Sequence, residues 1–244
     1  MFKVIKLKYI ILSLIIIVGF VTVGIGISNT SATKSPRAKY TLVIDAGHGG
    51  RDDGCSGING TVESGINLAI AKQLQLYLET LDINVVMTRV DEHGLYDANA
   101  TNFKVSDMQK RIEIIERAKP NMVISIHQNA YTDRSQYGAQ VFFQEGDEES
   151  LKFGESIQGM LVQYLDSPRS GVISGDYYLL KESKLPAVIV ECGYLTNPKE
   201  EGLLTTKEYQ DKVAYTIMCG VVKYFGLCGW KKTPELLWYR CLFE

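Results

Sequence analysis

Tyr40-Thr-Leu-Val-Ile-Asp45-Ala-Gly-His48-Gly-Gly50 runs an apolar strand directly into a glycine turn that presents a histidine. The layout recurs. Met122-Val-Ile-Ser125-Ile-His127 ends a second apolar run on a histidine, and Ala187-Val-Ile-Val190-Glu191 ends a third on a carboxylate. Strands buried on both faces read as continuous Val/Ile runs, and open α/β sheets gather their chemistry just beyond the carboxyl ends of such strands. Three strand ends are therefore expected to converge on one site.

The pattern on either side fits that sheet. Strands are expected near 40–45, 83–88, 121–126, 139–144, 177–181 and 187–191, alternating with helices near 63–80, 107–118, 149–165 and 206–225. Ile66, Ala69, Ile70, Gln73, Leu74, Tyr77 and Leu78 share one face of the first helix. Ala214, Ile217, Met218, Val221, Val222 and Phe225 share one face of the last, which starts at a capping box, Thr205-Thr-Lys-Glu208. The expected fold class is α/β, a mostly parallel sheet flanked by helices on both faces.

Histidine, histidine and glutamate at strand ends suggest a metal, because neutral imidazole and carboxylate are the ligands of hydrolytic zinc sites that keep a coordination position open. Glu63 is the best candidate for a third ligand, since it follows the glycine loop and opens the first helix. An acidic residue in a first turn can also do no more than complement the helix dipole. Gly47-His48-Gly49-Gly50 lacks the Lys-Ser/Thr of a phosphate loop and the spacing of a dinucleotide fingerprint. The chain has three histidines, and the third, His93, sits in a polar, turn-rich segment that reads as a loop. Burying Glu191 without a partner would be costly, which favours polar or metal-containing surroundings.

Taken together, Asp45-Ala-Gly-His48-Gly-Gly, Glu63 followed by Asn67-Leu68, Thr88-Arg89 with Asp91, Arg111, Ser125-Ile-His127-Gln-Asn129-Ala and Glu191-Cys-Gly-Tyr-Leu-Thr-Asn197 resemble, in order, the zinc-dependent N-acetylmuramoyl-L-alanine amidases. The resemblance spans Tyr40 to about Gly226. It implies peptidoglycan as substrate, one zinc ion held by His48, Glu63 and His127, and Glu191 as the catalytic carboxylate. The bond cut would join the lactyl carbonyl of N-acetylmuramic acid to L-alanine. A single catalytic domain behind an N-terminal membrane segment, with Tyr177-Tyr-Leu-Leu-Lys181 leading to the Glu191 strand, looks most like the spore-cortex amidases that act in muramic-δ-lactam formation. Two alternatives stay open: a vegetative amidase that separates daughter cells, and a membrane-anchored peptidoglycan-binding protein without turnover. Similar amidases are often held in check by partners, so a regulatory or activating protein is expected too.

Arg89 and Arg111 match positions of the resemblance, yet either can simply tie a carboxylate such as Asp91 or Asp107 and fix a loop. Asn129 can contact substrate or cap the turn after its strand. With 45% hydrophobic and 22% charged residues the chain has an ordinary globular composition, without repeats or low-complexity tracts. A formal net charge of -2 excludes a strongly basic nucleic-acid surface, so no nucleic-acid partner is expected.

Residues 1–28 read as a membrane anchor or signal sequence: Lys3, Lys6 and Lys8 precede an apolar run from Tyr9 to Ser28, about the 20 residues of a bilayer span. The length of that run favours a retained anchor, while Thr30-Ser-Ala32 could serve as a cleavage site. Residues 29–39 read as a linker, 40–226 as the amidase catalytic domain and 227–244 as a tail of undetermined role. The catalytic domain is expected outside the cytoplasm, anchored or secreted, with the forespore envelope as the location implied by the spore-cortex resemblance. Five cysteines without metal spacing argue against a full disulfide framework, and Cys192 is expected to pack as a small buried residue.

Overall fold

The computed structural model describes residues 38–227. Strand β1 (Thr41–Ala46) leads through helix α1 (Glu63–Glu79) to β2 (Asn84–Met87), and α2 (Phe103–Ala118) returns the chain to β3 (Met122–Asn129). Next come β4 (Gln140–Phe143), α3 (Glu148–Leu165), β5 (Ile173–Ser174), a short α4 (Tyr178–Glu182) and β6 (Ala187–Tyr194). Helices α5 (Pro198–Leu204) and α6 (Lys207–Tyr224) complete the described chain. The strands form one sheet in the order β2-β1-β3-β6-β4-β5. β2, β1, β3 and β6 run parallel, while β4 lies antiparallel to β6 and carries β5 at the edge.

Alternation along the strands sorts the core into two layers. Leu42, Ile44, Ile124, Ile126, Val188 and Val190 face one way, against Ile70 and Leu74 of α1, Phe153 and Ile157 of α3, and Ile217 and Val221 of α6. Val43, Val123 and Ile189 face the other way, against Ile115 of α2 and Leu179 and Leu180 of α4. Both faces are covered, as the continuous Val/Ile runs require. Each such side chain contributes about 1.5–3 kcal/mol when fully buried, so the central strands are the most strongly fixed part of the sheet.

Several local expectations are corrected. Residues 177–181, expected as a strand, form the N-cap and body of helix α4 instead, closed by Lys181 N–H donating to the Tyr177 carbonyl at 3.1 Å and Ser183 N–H to Leu179 at 3.0 Å. A short apolar run has no period long enough to separate strand from helix, and burying adjacent Leu179 and Leu180 under the sheet decides it. The edge strand is Ile173–Ser174, exposed and too short for a periodic signal. The cap of α6 is Thr206, whose hydroxyl accepts from Tyr209 N–H at 3.3 Å, because Thr205 already closes α5.

Among the described residues no helix is long and apolar enough to cross a membrane. The expected segment 1–28, the linker as far as residue 37 and the tail beyond Leu227 lie outside the described residues. Cys55, Cys192 and Cys219 are free thiols, with Cys192 fully buried.

Candidate active site

The glycine turn after β1 adopts left-handed backbone at three consecutive residues, with φ of 62° at His48, 128° at Gly49 and 65° at Gly50. A non-glycine residue in that region stores strain of order 1–3 kcal/mol unless its surroundings hold it there. Two buried arginines supply the hold. Arg111 donates to the carbonyls of Ala46 at 2.8 Å and His48 at 2.7 Å, and Arg89 to those of Ala46 at 2.8 Å and Gly47 at 2.9 Å. Gly47 itself must lack a side chain, since a Cβ there would run into the His127 imidazole.

Arg111 also pairs with Asp45 and Asp107, both at 2.6 Å. Arg89 departs from its expected role: it bonds the Asp91 carbonyl at 2.8 Å and the Ser64 carbonyl at 2.8 Å, with no bond to the Asp91 carboxylate. Asp45 is the centre of this cluster, accepting from Arg111, from the Thr88 hydroxyl at 2.7 Å and from the Ser125 hydroxyl at 2.6 Å. Burial pushes its carboxyl upward, but Arg111, Ser125 and Thr88 outweigh that and hold it at about 2.

Glu63, the first residue of α1, is 3% exposed and meets both imidazoles. Its Oε1 lies 2.9 Å from His127 Nδ1 and 3.3 Å from His48 Nε2. The donor atoms of the three residues all fall within 4.8 Å of one another. A tetrahedral site with bonds of about 2.0–2.1 Å has ligand-to-ligand edges of about 3.3 Å, so this donor set fits zinc in chemistry and spacing. Glu63 is fixed further by N–H groups: Gln128 N at 3.0 Å and Asn67 Nδ2 at 3.0 Å donate to Oε1, and Cys55 N at 2.8 Å to Oε2. Burial disfavours its charge, but the His127 and His48 bonds overcome this and hold the carboxyl well below the ordinary range.

His48 Nδ1 lies 2.8 Å from Asp52 Oδ2, which orients the ring with Nε2 toward Glu63. Burial disfavours the imidazolium, but Glu63 and Asp52 raise His48 to about 9. The negative charge that favours a proton there also favours a metal cation, which must displace that proton to bind.

Glu191 reaches the site through register. It pairs with His127 across β3 and β6, so the two side chains leave the same face of adjacent strands. Glu191 is 7% exposed, and its Oε2 is buried with no hydrogen-bond partner. Burial dominates and, opposed by His127 but reinforced by Glu63, pushes the carboxyl up to about 7. A carboxyl poised there suits proton transfer in either direction near neutral pH.

Of the remaining sequence candidates, Asn129 caps its own turn, its side chain accepting from Ala130 N–H at 2.8 Å, and His93 is an exposed loop residue bonded to Asp91. Three contributors had no assigned role in the sequence reading. Asp52, four residues after His48, was signalled by spacing alone, and Asn67, one helical turn after Glu63, belonged to the resemblance without a role of its own. Lys104, 3.0 Å from Asp52, carried no local signal. A cavity of about 290 Å³ opens beside His48 and His127, walled by Asp52, Lys104, Met108, Arg111, Tyr177 and Leu179.

Residues 42–223 match the Amidase_3 family, N-acetylmuramoyl-L-alanine amidase. The chain is 31% identical over 194 residues to the germination-specific N-acetylmuramoyl-L-alanine amidase of Bacillus subtilis, covering 78% of this chain and 81% of that protein. It is also 31% identical over 194 residues to the N-acetylmuramoyl-L-alanine amidase LytC of Bacillus subtilis, covering 79% of this chain and 37% of that longer protein. The fold is similar to the CwlD amidase from Clostridioides difficile, solved in complex with the GerS lipoprotein: TM-score 0.74, 36% identity, 77% of this chain and 99% of that one.

Proposed function

The chain belongs to the N-acetylmuramoyl-L-alanine amidase family, hydrolases of peptidoglycan, and from that membership we propose a zinc enzyme in which His48, Glu63 and His127 hold the metal and Glu191 moves the proton. The observation that carries this reading is the convergence of two imidazoles and a buried carboxylate on one point, with a second buried carboxylate in register beside it. Zinc, when bound, supplies Lewis acidity, making water acidic enough to ionise near neutral pH and polarising the carbonyl under attack.

The chain's own residues do the rest. Asp52 sets the His48 tautomer, and Asn67, Gln128 N–H and Cys55 N–H hold Glu63 in one rotamer. Glu191 takes a proton from the attacking water and delivers it to the departing amine of L-alanine. Its raised pKa keeps both halves of that transfer accessible. The pairing suits amide cleavage, whereas the two-carboxylate chemistry of glycosidases would cut the glycan.

The test is mass spectrometry of peptidoglycan after digestion. Stem peptides should appear with a new amino group on L-alanine, muramic acid should keep its lactyl carboxylate, and reducing ends should not increase. New reducing ends, or peptides cut between amino acids, would assign another hydrolase class. A protein that binds peptidoglycan without product would be the catalytically silent alternative, against which Glu191 stands.

The proposed setting is the spore cortex, in muramic-δ-lactam formation, supported by the germination-specific relative. The vegetative cell-separation role is distinguished by whether expression is confined to sporulation. Residues 1–28 would anchor or export the domain, and fractionation of the cell envelope tests this. A protein partner belongs to the proposal because the CwlD amidase was solved with the GerS lipoprotein.

A further inference from the structure

Resting on the amidase reading, we propose that Lys104 is a specificity-determining residue that binds an anionic group of the substrate, the free α-carboxylate on the stem-peptide residue next to L-alanine. Lys104 is the second residue of α2 and lines the same cavity as His48 and His127. Its side chain is 62% exposed, and its Nζ is held 3.0 Å from Asp52 Oδ1, while Asp52 Oδ2 bonds His48. Lys104 is thus tethered one carboxylate away from a proposed metal ligand, with ammonium protons to spare for a ligand.

The other cation on the cavity wall, Arg111, is not available. It is 1% exposed and engaged by Asp45, Asp107 and the carbonyls of Ala46 and His48. Asp107 is likewise occupied, by Arg111 and by Leu95 N–H at 2.6 Å.

Structural roles do not account for Lys104. The dipole of α2 disfavours a cation in its first turn, and no acidic residue sits there to offset it. A half-exposed Lys–Asp pair adds little to stability. The substrate, in contrast, has a group of the right charge. Where the stem peptide continues through the side-chain carboxyl of the residue after L-alanine, that residue's α-carboxylate is free and a few covalent bonds from the scissile nitrogen, so one ligand can span from the reacting amide to the cavity mouth. Amidation of that carboxylate removes its charge and leaves its shape nearly unchanged.

The experiment compares two disaccharide-peptide substrates, one with the carboxylate and one with the carboxamide, using the full, zinc-loaded chain. Lys104→Met should raise KM for the carboxylate substrate roughly three- to tenfold, leave kcat unchanged and leave the carboxamide substrate at parental values. Lys104→Arg should keep the parental preference. Zinc content and melting temperature should match the parent in both variants. An equal loss on both substrates, or no loss on either, overturns the assignment. A parent that cleaves neither substrate even with its partner protein added refutes the amidase reading itself, and that outcome is visible before any variant is measured.

Discussion

Replacing Arg111 with methionine tests whether the buried charge cluster behind the histidine loop holds the site together. The guanidinium is 1% exposed and 2.6 Å from both Asp45 and Asp107, and methionine fills much of its volume without its charge. Asp45 would then keep only the Thr88 and Ser125 hydroxyls. Removing one partner of a buried ion pair costs about 3–5 kcal/mol, because the remaining charge is left uncompensated. The pH dependence follows from the direction of the Asp45 shift. In the parent this carboxyl is held at about 2 against an ordinary 3.8, a difference of roughly 2 kcal/mol. Because the folded pKa is depressed, that stability is present above pH 3.8 and is lost as pH falls through about 2. The stability gap between parent and Arg111→Met should therefore be widest near neutral pH, where the stranded Asp45 is charged, and narrow by roughly 2 kcal/mol or more as pH falls toward 2. Urea unfolding of chelator-treated protein across that range reads it directly. Arg111→Met with Asp45→Asn should be more stable at pH 7 than Arg111→Met alone, since no buried charge is then stranded. A gap that stays flat with pH, or a double variant no better than the single one, refutes the reasoning.

Glu191→Gln should keep fold and metal while turnover falls about 100- to 10,000-fold, as expected for loss of a general acid–base, and turnover near the parental rate removes Glu191 from that role. His48→Ala and His127→Ala should each lose zinc by elemental analysis, and chelation should abolish turnover of the parent; undiminished zinc in either variant sinks the ligand assignment. Asp52→Asn should weaken metal affinity about 10- to 100-fold through the tautomer and orientation of His48, measured by competition with a chelating dye. Unchanged affinity would reduce Asp52 to a surface partner of Lys104.

Local pattern alone carried the central architecture. Val/Ile runs at 40–45, 122–127 and 187–191 read as strands buried on both faces, and their ends marked His48, His127 and Glu191 as neighbours in a parallel sheet. Glu63 was legible as a first-turn carboxylate, but its alternative as a mere dipole partner was equally legible. Only the folded chain brings its Oε1 against both imidazoles. The short run Tyr177-Tyr-Leu-Leu-Lys181 displays no period that separates strand from helix, and packing under the sheet selects the helix. The antiparallel β4, the register that sets Glu191 beside His127, and the bonds of Arg89 and Arg111 to the loop carbonyls were all beyond the sequence. Hydrophobic periodicity reports only which face of an element is buried. The partners of a polar side chain lie 43 residues away for Arg89 and Ala46 and 66 for Arg111 and Asp45, so they depend on strand order and helix placement, which tertiary packing decides.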